Sequence, residues 1–168
     1  MPPADGKQPP EAPSSATRWL TPDEEAAWRA LGSVIVTLPW ALECQLQRDA
    51  GLSFLEYYVL ARLSEEPDHT LRMSILAELT HASLSRLSHL AKRLEGRGLV
   101  RREPDPTDGR FTHAILTEAG YAKLVASAPA HVATVRALVM DAFSPDELQQ
   151  LHNVSRRLLS RIAATGLP

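Results

Sequence analysis

The chain has 168 residues, 44% hydrophobic and 23% charged, with a formal net charge of −2, proportions that fit one folded domain with a real core. Its longest charge-free run near the start, Leu31 to Leu42, is too short to cross a bilayer and contains Pro39, so no membrane partner is expected. A single cysteine, Cys44, excludes an internal disulfide, and with no basic-then-apolar leader the expected location is the cytoplasm.

Residues 1–20 hold five prolines and almost no apolar periodicity, the composition of a disordered arm. Order is expected from Thr21-Pro22-Asp23-Glu24, which combines a capping threonine, proline at the first helical position and glutamate at the third. That helix should run to about Arg48, with a bend at Pro39. Ser53 caps a second helix, Phe54 to about Ser64, and a short helix follows around Ser74–Leu79. Thr80-His81-Ala82 reads as a turn, after which Ser83 caps a helix to about Glu95, with Gly96 and Gly98 at its exit.

Within that helix Leu84, Leu87, Leu90, Ala91 and Leu94 recur at three- and four-residue steps as one apolar stripe. Leu99–Glu103 and Phe111–Leu116 read as the strands of a hairpin whose Asp108-Gly109 supplies a tight reversal, with Arg110 at or beside its tip. Thr117 then caps a helix to about Ala142, disturbed at Pro129, and Ser144-Pro145-Asp146-Glu147 opens a last helix to about Thr165. The fold class is mainly α with a small β-hairpin wing. The chain divides into an arm (1–20) and a single domain (21–168), with a winged helix-turn-helix at about 53–117 between long helices at about 22–48 and 118–165.

Charge is distributed unevenly. Residues 1–69 carry 5 Lys/Arg against 11 Asp/Glu, whereas residues 70–117 carry 8 against 5. A helix whose outer face holds Ser85, Arg86, Ser88, His89, Lys92 and Arg93 presents donors suited to base edges and phosphates in a DNA major groove. The hairpin beside it reaches the adjacent minor groove, whose narrow width and negative potential favour an inserted arginine, here Arg110. Ser83 and Thr112 complete the expected DNA-facing set.

Leu76-Ala77-Glu78-Leu79 followed by SLSRLSHLAKRLEGRGLVRREPDPTDGRFTHAILTEAG resembles the MarR family of bacterial winged-helix regulators. The matching motifs are Arg93-Leu94-Glu95, Gly98-Leu99-Val100, Asp105-Pro106, Asp108, Arg110 and Leu116-Thr117-x-x-Gly120, and the likeness extends over about residues 22–165. It implies that Arg110 is a minor-groove arginine steered by Asp108. Gly109 stands where many relatives carry another arginine, so one wing contact of the family is missing. The resemblance further implies a symmetric homodimer built from the first and last helices, here through Leu148, Leu151, Leu158 and Ile162. It also implies release from a pseudo-palindromic operator, as a repressor, by a small aromatic or phenolic effector. Trp28, Trp40, Tyr57 and Tyr58, with Arg62 or Arg29 for a carboxylate, are the candidate effector residues.

Competing readings are tested by the same residues. No G-x-S-x-G, Walker loop or H-E-x-x-H occurs, so no enzyme and no cofactor is expected. The six histidines are dispersed, with no i, i+4 pair, so no metal site is expected. Cys44 lies near the end of its helix next to Glu43, poor surroundings for a reactive thiolate. The alternatives left open are a redox- or metal-responsive regulator of the same fold and a winged-helix module that binds protein.

Overall fold

The computed structural model describes residues 17–166. Residues 1–16 of the expected arm lie outside the described residues. The chain divides into two compact units, with the boundary between Ile35 and Val36. Among the described residues no helix is long and apolar enough to cross a membrane.

The elements in order are α1 (Pro22–Ala50), α2 (Phe54–Ser64), β1 (Thr70–Arg72), α3 (Met73–Leu79), α4 (Leu84–Gly96), β2 (Val100–Pro104), β3 (Thr112–Leu116), α5 (Glu118–Leu138), a 3-10 turn (Met140–Ala142) and α6 (Pro145–Ala164). Helix starts follow the capping chemistry. The Glu24 amide donates to Thr21 Oγ1 at 3.3 Å while the Thr21 amide donates to Glu24 Oε2 at 2.8 Å, and the same reciprocal box recurs at Ser53/Glu56 and Ser144/Glu147. Pro39 and Pro129 sit inside α1 and α5 without ending either helix. The expected continuation of α5 to Ala142 is replaced by the 3-10 turn after Leu138.

Within residues 36–166 a core gathers Leu52, Leu60, Leu63, Leu76, Leu87, Leu94 and Val100 from α2, α3, α4, β2 and the chain before α2. The turn between α3 and α4 closes with the Ala82 amide on Ala77 O (3.0 Å) and the His81 amide on Glu78 O (3.1 Å), with His81 at a φ of 48°. The end of α4 repeats the pattern with glycine: Leu99 N donates to Leu94 O (3.0 Å) and Gly98 N to Glu95 O (2.9 Å), with Gly98 at a φ of 70°. These two hydrogen bonds satisfy carbonyls in the last turn of the helix and turn the chain directly into β2.

The sheet has three strands, not two, in the order β1-β3-β2, all antiparallel. β1 pairs Thr70 with Ile115, Leu71 with Ala114 and Arg72 with His113. A three-residue strand that runs straight into a helix has no room for the alternation that would reveal it. β2 ends at Pro104 and β3 begins at Thr112, and within the 105–111 connection the Phe111 amide donates to Asp108 O at 3.0 Å, closing a tight reversal over Gly109 and Arg110 with Gly109 outside the left-handed region.

α5 starts against the base of this hairpin. Thr117 Oγ1 donates to Gly98 O at 2.7 Å, and a Cβ on Gly120 would stand 2.0 Å from Leu99 O and 2.7 Å from Leu116 Cδ1. Glycine is therefore required for the approach. Gly120→Ala should lower stability by about 1–3 kcal/mol, because overpacking against backbone exceeds alanine's helix-propensity gain of about 1 kcal/mol. Urea unfolding is the measurement, and an unchanged or raised midpoint would contradict the contact.

Candidate nucleic-acid interface

The rotation of α4 is set by its buried side, Leu87, Leu90, Ala91 and Leu94. Ser85, Arg86, His89 and Lys92 are consequently exposed and Ser88 is half-buried. Ser83 caps the helix, its hydroxyl accepting from the Arg86 amide at 3.2 Å. Leu84 departs from the predicted apolar stripe. It is 55% exposed, because the first turn of α4 projects past the core to line a cavity toward the wing.

That cavity, of about 210 Å³, is bounded by Met73, Leu84, Ser88, Arg110, Phe111 and Thr112 among others. The structure thus brings Ser88 of α4 together with Arg110 and Thr112 of the wing. A second hollow of about 430 Å³ brings Arg86, His89 and Arg93 beside Glu43 and Ser53.

The cations on and around α4 are not equivalent. Arg93 and Arg97 lie 3.5 and 3.6 Å from the buried Glu56 carboxylate, which also accepts from the Ser53 amide at 2.8 Å. Arg102 holds Glu95 at 2.6 Å, and Arg101 pairs with Glu103. Among the described residues Arg86 and Lys92 form no ion pair, and both are exposed. Arg93, also expected to face DNA, pairs with Glu56 of α2 while its side chain stays 63% exposed.

The wing loop is organised by Asp105. Its carboxylate is buried and accepts from Thr107 N (2.8 Å), Thr107 Oγ1 (2.6 Å) and Asp108 N (3.2 Å), and it lies 2.7 Å from an Arg72 guanidinium nitrogen and 3.3 Å from His113 Nε2. The Thr107 hydrogen bonds, followed by the Asp108 amide and the Arg72 charge, hold the Asp105 carboxyl well below the usual carboxylate range. Arg72 also stacks 4.7 Å from the centre of the Phe111 ring. β1 therefore delivers the cation that anchors the wing. Asp108 in turn receives Arg110 in a two-pronged contact, Nε to Oδ1 at 2.9 Å and Nη2 to Oδ2 at 2.6 Å, which lowers the Asp108 pKa. The Arg110 side chain nonetheless stays 85% exposed.

Among the residues expected to meet an effector, Tyr57, Tyr58 and Arg62 make contacts within their own unit. Tyr57 packs 4.4 Å from the His131 ring, and His131 Nδ1 lies 3.0 Å from Gln45 Oε1. Arg62 lies 4.9 Å over the Tyr58 ring and bonds Glu65 at 2.8 Å. Trp28 and Trp40 are exposed, each within its own unit. Of the expected dimerisation residues, Leu151, Leu158 and Ile162 are exposed and Leu148 half-buried, and α6 buries none of its side chains. Cys44 is exposed, and among the described residues no group of three His, Cys, Asp or Glu is placed to hold a metal.

Glu56, Arg72 and Asp105 were missed as functional supports by sequence reasoning. The one local signal was Asp105-Pro106-Thr107, in which an aspartate can accept from the amide two residues on.

The MarR family model matches residues 50–110. The transcriptional repressor MprA of Escherichia coli strain K12 is 30% identical over 112 residues, covering 67% of this chain and 63% of that repressor, so the match spans less than two thirds of its length. The crystal structure of Sco3205, a MarR family transcriptional regulator from Streptomyces coelicolor in complex with DNA, is 41% identical with a TM-score of 0.83, over 87% of this chain and 91% of that one. AbsC, another MarR family transcriptional regulator from that organism, is 40% identical with a TM-score of 0.83, over 88% and 99%.

Because Asp105 is acidified in the folded state, its contribution is present above about pH 4, the ordinary aspartate value, and is lost as pH falls toward the depressed folded one. The carboxyl carbon shift of Asp105 should titrate well below that ordinary value, and Thr107→Val should raise the midpoint. A midpoint at or above the ordinary value would contradict the network.

Proposed function

The chain belongs to the MarR family of transcriptional regulators, and from that premise we propose that it binds a pseudo-palindromic operator in duplex DNA as a homodimer and represses transcription. The observation that carries the reading is the outward face of α4. Arg86 and Lys92 stand there without ion pairs among the described residues, alongside exposed Ser85 and His89 and within one structural unit with the wing arginine Arg110. Phosphate contacts position such a helix and base-edge donors give it sequence preference. The relative solved in complex with DNA supports the same reading.

Dimerisation is supported by surface that no element of its own unit covers. Leu158, Leu159 and Ile162 are exposed along α6, and an apolar stripe of this kind marks an interface. Two-fold pairing would set the two recognition helices about 34 Å apart, one turn of DNA. Release by a small aromatic or phenolic effector completes the proposal, with exposed Trp40 as its supporting feature.

Arg110→Ala should weaken operator binding by about 1–3 kcal/mol with the fold intact. Lys92→Ala should reduce the slope of log affinity against log salt by about 1, the change for one lost phosphate contact. Affinity titrations at several salt concentrations measure both, and binding insensitive to salt would favour a protein-binding module instead. Ending the chain after Ser144 should abolish the dimer in light scattering, since the α6 stripe is removed. A dimer that persisted would move the interface elsewhere.

A further inference from the structure

The one apolar side chain on the first turn of α4 stands out from its surroundings. Leu84 follows the capping Ser83 and is 55% exposed, while the leucines one and two turns later are buried. Its neighbours on the outward face are Ser85, Arg86 and Ser88, and Arg110 and Thr112 of the wing share its cavity. Phe111, the other exposed apolar group there, is already covered on one face by the Arg72 guanidinium. Leu84 lines the same cavity with more than half of its surface open, and apolar surface left in water gains from burial against another apolar group.

On duplex DNA the chief apolar feature within reach of a major-groove helix is the C5-methyl group of thymine. We propose that Leu84 is a specificity-determining residue that reads a thymine methyl, one in each operator half-site. The proposal rests on the DNA-binding reading above. Its occupant is fixed by charge complementarity: Arg110 lines the leucine's cavity, and Arg86 and Lys92 stand exposed further along α4, the potential that a phosphate backbone seeks. Leu84 acts by direct apolar contact at the start of α4, where recognition helices meet base edges. Serines at 85 and 88 donate to either base type and leave that position ambiguous, so the leucine supplies the discrimination they lack.

The test uses the full chain and a duplex that it selects from a randomised pool, resynthesised with deoxyuridine for each thymine in turn. Wild-type protein should lose about fourfold in affinity at one thymine per half-site, the equivalent of about 0.8 kcal/mol for one buried methyl. Leu84→Ala should bind the thymine and uracil duplexes equally, and Leu84→Met, which keeps an apolar side chain, should retain the preference. Circular dichroism confirms that each variant is folded, as substitution of an exposed residue should allow. If the wild type selects a sequence but is indifferent to every thymine methyl, or Leu84→Ala keeps the preference, the leucine reads no base and DNA binding stands. If no duplex is selected and affinity ignores salt, the DNA-binding reading fails and takes the proposal with it.

Discussion

Everything about this surface follows from which side of α4 is buried. With 100° between successive residues, placing Leu87, Leu90, Ala91 and Leu94 in the core leaves the polar residues between them on the opposite side. Each buried leucine contributes about 1.5–3 kcal/mol relative to exposure, so rotating the helix to hide Arg86 or Lys92 would sacrifice several such terms and bury an unpaired charge. The outward presentation of charge is thus enforced by the core, not by attraction among the surface groups.

The wing is positioned by a different force. A seven-residue connection between two short strands has little apolar material to order it, and Asp105 supplies the order through hydrogen bonds and charge. The Arg72 cation comes from β1, which is far away in sequence but beside β3 in the sheet. The close approach of Gly120 to Leu99 then fixes the sheet against α5. Recognition helix, wing and the long helix that follows are held by core packing, an ion-paired loop and a backbone contact in turn.

Much of this was legible in the sequence because its signals are local. Ser53, Ser83, Thr117 and Ser144 announce helix starts through bonds to residues three positions on, and Gly98 announces the exit from α4. What escaped depends on neighbours distant in the chain. β1 is recognisable only through its pairing with β3, Glu56 meets Arg93 across 37 positions, and Arg72 meets Asp105 through the sheet. Leu84 fits the apolar period yet lies past the edge of the core, and periodicity gives direction around a helix without saying where the core ends. The Asp108-Gly109 signal marks a real reversal, closed by the Phe111 amide on Asp108 O, while the bonds from Thr107 and Asp108 to Asp105 that order the residues before it are only partly announced by sequence.

α6 offers a second cationic surface, where His152, Arg156, Arg157 and Arg161 line a shallow hollow. Amide hydrogen exchange of the full chain, with and without a selected duplex, separates the two surfaces most directly. DNA should slow exchange over Leu84–Lys92 and the 105–111 loop while leaving the α6 residues around Arg156 and Arg161 unchanged. Protection gained along that part of α6, with α4 and the wing unaffected, would contradict the account.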